Sequence, residues 1–120
     1  CRWQNKKLPT SNQWWRAALG ENDYLFPWGN DMNNLMKRAN FESQKAWESS
    51  DENIYGASIF GVFDLAGNVS EWLDIEQNNT STSQIVGGSW QDSSYIFDIS
   101  INEYLPLTFH SSNVGFRCVK

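Results

Sequence analysis

Positive charge is scarce in this chain of 120 residues: nine Lys and Arg stand against fourteen Asp and Glu, for a net charge of −5. No basic patch is available to release counterions from a phosphate backbone. Neither a nucleic acid nor an anionic membrane surface is therefore an expected partner. Long apolar runs are also missing. Ile59-Phe60 and Val62-Phe63 are split by Gly61, far short of the ~20 residues of a membrane span. Histidine and cysteine are nearly absent, with His110, Cys1 and Cys118 the whole supply, so a Cys/His zinc site is not expected. The two cysteines sit at the ends of the chain. Spacing alone leaves open a bridge around nearly the whole sequence or two separate buried thiols, and a bridge would imply an oxidising compartment. Position 1 lacks a methionine and no signal peptide is visible. The sequence reads as a piece of a longer or processed protein, with no targeting legible at its start.

Aromatic residues are plentiful. Seven Trp, seven Phe and four Tyr supply a core for one domain spanning 1–120. Thr10 to Gln13 has the form of a capping box. Trp14, Trp15, Ala18 and Leu19 follow in i, i+4 pairs, and Gly20 suits the C′ position, so a helix is predicted over about 11–19. Phe26-Pro27-Trp28-Gly29-Asn30 reads as an irregular segment pinned to the core. Met32, Leu35, Met36 and Ala39 have helical spacing that Asn33, Asn34 and Asn40 weaken. Residues 42–53 and 76–84 are polar and read as loops, the second as a mobile one. Ile85-Val86 before Gly87-Gly88-Ser89-Trp90 predicts a strand whose glycines admit a second backbone. Tyr95, Phe97, Ile99 and Ile101 alternate with polar residues and predict a half-buried strand. Val114, Phe116 and Cys118 alternate likewise, on what would be one buried face. Among the tryptophans, Trp14, Trp15, Trp28 and Trp72 suit core packing, while Trp47 and Trp90 read as more open.

Asp64-Leu-Ala-Gly-Asn-Val-Ser-Glu-Trp72 packs three hard oxygen donors (Asp64, Asn68, Glu71) around a glycine between the apolar anchors Leu65 and Trp72. Such a loop can hold a cation or close on itself through hydrogen bonds, with Asp64 and Glu71 capping backbone N–H groups.

These landmarks in this order resemble the formylglycine-generating enzyme (sulfatase-modifying factor) family. The matching pieces are Leu8-Pro9-Thr10 with Trp14, Phe26 to Asn30, Arg38-Ala39-Asn40, Phe60 to Trp72, Gly87-Gly88-Ser89-Trp90 and Val114-Gly115-Phe116-Arg117-Cys118. The resemblance covers the chain but only the C-terminal half of a typical family domain, so an N-terminal portion is expected to be missing. It implies an α+β fold, a C-type-lectin-like variant that is loop-rich with short antiparallel strands and few helices. It also implies a disulfide between Cys1 and Cys118. Family enzymes oxidise a sulfatase cysteine to formylglycine with two cysteines, copper and oxygen, and calcium holds their loops. By that likeness, Asp64 and Glu71 would give calcium side-chain oxygens, and Gly67 and Val69 would give carbonyls. Asn40 and Phe41 match the start of a second calcium site whose other ligands have no counterpart here.

The departures set the expected function. The two active cysteines of the family fall on Asp92 and Phe97, neither of which can serve Cu(I) as a soft thiolate, so no copper is expected. Val86 stands where the family often has arginine before the glycine pair. The expectation is a catalytically silent, extracytoplasmic module that binds a protein, peptide or glycan. Its ligand face would lie in 90–112, with Trp90, Asp92, Ser93, Tyr95, Asn102, Tyr104, Phe109 and His110 as contacts. Tyr and Trp give contact area at low entropy cost, as variable proteins of this fold exploit. The alternative is an enzyme with altered oxygen- or metal-dependent chemistry at Asp92 and His110. No nucleophile motif accompanies His110, and a structural histidine is the plainer reading.

Overall fold

The structure is a computed structural model. It describes every residue except 44, 45, 50–52, 76–80, 98–100 and 102. Among the described residues one helix forms, α1 (Ser11–Leu19), and it starts and stops as its sequence dictates. The Thr10 hydroxyl accepts from the Gln13 backbone N–H at 3.3 Å, and Gln13 Oε1 accepts from the Thr10 N–H at 3.0 Å. Gly20, at φ 69°, ends the helix and donates its N–H to the Arg16 carbonyl. The inner stripe of α1, Trp14, Trp15 and Ala18, is buried.

Among the described residues four short strands make a mixed sheet of order β3–β2–β1–β4, with β1 Ser70–Trp72, β2 Thr82–Val86, β3 Glu103–Pro106 and β4 Val114–Gly115. The β1–β2 and β2–β3 pairs are antiparallel, with Trp72 opposite Ile85 and Gln84 opposite Tyr104. The β1–β4 pair is parallel, with Ser70 opposite Val114. The remaining helical structure among the described residues is four 3-10 turns, at Arg2–Gln4, Leu35–Lys37, Ile54–Gly56 and Ser94–Ile96. The fold is thus α+β and loop-rich, as expected, apart from its one parallel pair.

The core gathers Trp14, Trp15, Phe26, Phe41, Leu65, Leu73, Val86 and Phe97, with Trp28 packed against them. Phe26 stacks on Trp28 at 4.8 Å, which pins the Phe26–Asn30 segment. The chain ends meet. Cys1 and Cys118 form the disulfide, and Lys7 and Val119 exchange both backbone hydrogen bonds at 2.9 and 2.8 Å.

Five sequence expectations need correction. First, β2 begins at Thr82, inside the stretch read as loop, while 76–80 lie outside the described residues. Ser83 and Gln84 are buried there because the strand bonds their polar groups; the Ser83 hydroxyl donates to the Leu73 carbonyl. Second, no strand forms at the described positions of 95–101. Ser94–Ile96 is a 3-10 turn, and Tyr95 and Phe97 have opposite fates, 83 % and 5 % exposed. Third, Phe116 is 62 % exposed, because the next residue, Arg117, takes the inward position to reach Glu71. Fourth, Met32 and Met36 are exposed, and the helical spacing around them yields only the Leu35–Lys37 turn. Fifth, Trp72 is half-buried and lines a groove.

Candidate functional site

The glycine pair after β2 sets the first corner of the site. Gly87 has φ 92°, and a Cβ there would meet the Leu65 carbonyl at 2.9 Å and the Trp14 ring at 3.1 Å. Only glycine lets the two backbones approach, and the Gly67 N–H donates to the Gly87 carbonyl at 2.8 Å. Ser89 is fully buried. The Asp92 carboxylate accepts from its backbone N–H at 2.9 Å and its hydroxyl at 2.6 Å, closing a tight turn. The Asp92 carbonyl in turn accepts from Glu42 N–H, and the Trp90 carbonyl accepts from Ser43 N–H. Asp92 and Trp90 are therefore members of the turn's hydrogen-bond frame. Beside the glycines the cavity lined by Trp15, Ser70, Val86 and Glu103 measures about 10 Å³, room for about one water.

Phe97 is the other position matched to a family cysteine. Its ring lies 5.4 Å from Trp15, 5.8 Å from Phe26 and 6.2 Å from Trp14. It is an inward-facing member of the aromatic core.

The loop 64–72 forms the second corner. Asp64 and Asn68 adopt left-handed φ values of 54° and 65°. The Asn68 amide pairs with the Glu48 backbone in both directions, accepting from its N–H at 2.8 Å and donating to its carbonyl at 3.2 Å. Gly67 touches the Asn40 backbone so closely that a Cβ would lie 2.6 Å from the Asn40 carbonyl, which itself accepts from Asn68 N–H. Glu71 is 5 % exposed. It accepts from Arg117 Nε at 2.6 Å on one oxygen and Arg117 Nη2 at 2.6 Å on the other. Trp14 Nε1 adds a third bond at 2.6 Å. The same Nη2 donates to the Phe63 and Asp64 carbonyls at 3.0 and 3.1 Å. Of the residues assigned to calcium, Asp64, Gly67, Val69 and Glu71 share this loop, and Asn40 adjoins it. Both carboxylate oxygens of Glu71 already accept hydrogen bonds, from the Arg117 guanidinium and the Trp14 indole. Sequence reasoning missed Arg117 as the partner of Glu71 and Asn68 as the backbone clamp. The Phe-Arg-Cys signature held the one available clue to Arg117, a cation beside the terminal cysteine.

The remaining ligand-face candidates scatter. Tyr95, Phe109 and His110 are exposed, and Ser93 is half-buried. Asn102 lies outside the described residues. Tyr104, on the sheet's edge strand, lines an open groove of about 510 Å³ with Lys7, Thr10, Asn12, Asp74 and Gln84. A second groove of about 500 Å³ shares Lys7, Asp74 and Ile75 with it and continues past Leu8 and Trp72 to Phe116. Of the eight candidates only Tyr104 borders either groove among the described residues. Neither groove is lined by a residue of the Gly87-Gly88-Ser89 corner. No three His, Cys, Asp or Glu side chains cluster as a metal group among the described residues. Among the described residues no helix is long and apolar enough to cross a membrane.

A capped helix, a short mixed sheet, a Gly-Gly-Ser corner and an Asn-clamped loop define a formylglycine-generating-enzyme-like fold. The chain matches the sulfatase-modifying factor enzyme 1-like domain over residues 1–120, and it belongs to that family. Among relatives, the inactive C-alpha-formylglycine-generating enzyme 2 of Bos taurus is 30 % identical over 98 % of this chain and 45 % of its own length. The formylglycine-generating enzyme of Thermomonospora curvata is 29 % identical over 58 % of this chain and 27 % of its own length. Among solved structures, Treponema denticola variable protein 1 superposes with a TM-score of 0.79 at 24 % identity, covering 94 % of this chain and 46 % of that one. The chain thus spans less than half the length of these proteins.

Proposed function

We propose that this domain is catalytically silent and serves as a binding or structural module. The observation that carries the reading is the fate of the thiols: the chain has two cysteines, and both are in the Cys1–Cys118 disulfide. No thiolate is left among these residues for Cu(I). The positions matched to the family cysteines have other work, Phe97 in the aromatic core and Asp92 on Ser89. Further support comes from a relative that is itself named inactive. The ligand, a protein, peptide or glycan, would meet side chains of the 90–112 segment, of which Tyr95, Tyr104, Phe109 and His110 are exposed. The disulfide supports an extracytoplasmic site of action. The altered-chemistry reading loses ground, since the Asp92 carboxylate is committed to Ser89.

The protein, incubated with a cysteine-containing sulfatase peptide, copper and oxygen, is expected to leave the peptide mass unchanged. Conversion of that cysteine to formylglycine, seen by mass spectrometry, would overturn the assignment.

A further inference from the structure

Arg117 makes four contacts that a loop-holding cation would otherwise make or compete for. Its guanidinium fork bonds both oxygens of Glu71, and its Nη2 also reaches the Phe63 and Asp64 carbonyls. We propose that Arg117 is the resident cation of the 64–72 loop: its guanidinium, and not calcium, fastens Glu71 to the Phe63–Asp64 backbone and makes this fold independent of calcium.

Three physical arguments carry this. A carboxylate as buried as Glu71 needs a charge partner and hydrogen bonds. A bidentate arginine supplies both with matched planar geometry. Calcium asks for six to eight oxygens at about 2.3–2.6 Å. A dication placed on the Glu71 oxygens would sit against guanidinium nitrogens that lie 2.6 Å from those oxygens, and in a buried site that like-charge repulsion is weakly screened. Finally, the loop closes without an ion: Asn68 clamps Glu48, Gly67 bonds Gly87, and Trp14 gives Glu71 a third hydrogen bond.

Calcium chloride titrated into the EGTA-treated protein is expected to give no binding heat, and the melting temperature is expected to match in calcium and in EGTA. A stoichiometric heat with a higher melting temperature in calcium would overturn the proposal. Arg117→Gln is expected to melt several degrees below the parent, and Arg117→Lys, which keeps the charge without the fork, to recover part of that loss. An Arg117→Gln protein as stable as the parent would also overturn it. Should that variant fail to fold, the calcium titration of the parent decides alone.

Discussion

Phe97 and Tyr95 are two positions apart, and their different surroundings make the sharpest residue-level contrast in the chain. Phe97 touches three other rings of the core, while Tyr95 projects into solvent. Removing a buried Phe side chain costs the transfer free energy of the ring and leaves a cavity, about 3–5 kcal/mol together. Truncating an exposed side chain that packs on nothing stays within about 0.5 kcal/mol. Urea unfolding of Phe97→Ala and Tyr95→Ala should therefore show a large loss for the first and almost none for the second. Equal losses would mean that both rings lie on one packed face, as a strand would place them. The alternation at 95–101 misled because it records only which residues are apolar. A 3-10 turn carries residues around by about a third of a circle each, so i and i+2 no longer share a face. Glu71 and Arg117 were illegible for a different reason. They are 46 positions apart, and only the close approach of β4 to β1 brings them together.

At the scale of elements, α1 was the most legible because its signals are local. Thr10, Gln13 and Gly20 all lie within the helix or one residue of it, and the structure uses each as its chemistry suggests. β2 was only half legible: Ile85 and Val86 announce it, but Thr82, Ser83 and Gln84 are polar and look like loop. Burial of those polar groups is tolerable only because neighbouring strands and the Leu73 carbonyl satisfy them, which no single-strand pattern reveals. The cap of α1 gives a direct test. Thr10→Ala removes the hydroxyl that accepts from Gln13 N–H, and an N-cap loss of this kind costs about 1 kcal/mol. For a domain of this size that corresponds to a drop in melting temperature of about 4 °C. Thr10→Ser keeps the acceptor and should melt close to the parent. If alanine and serine melted alike, the capping box would have no energetic role.

For the molecule as a whole, the decisive economy is that its two thiols close the chain instead of serving chemistry. Cys1 and Cys118 are 117 positions apart, so their bond restrains almost every conformation open to the unfolded chain. A loop of that length removes roughly 4–5 kcal/mol of unfolded-state entropy on the chain-entropy account. The folded ends stay together without the bond, because Lys7 and Val119 hold each other by two backbone hydrogen bonds and Arg117 holds Glu71 one residue from the bridge. A Cys1→Ser, Cys118→Ser variant should therefore keep the parent's circular dichroism in native buffer yet unfold at a clearly lower urea concentration. The dependence on urea should steepen, since the unbridged unfolded chain exposes more surface. Thiol reductant should shift the parent to the variant's midpoint and leave the variant unmoved. An unchanged midpoint would show that the bridge restrains nothing. A variant without native circular dichroism would show that the strand pairing and the ion pair cannot hold the ends without it.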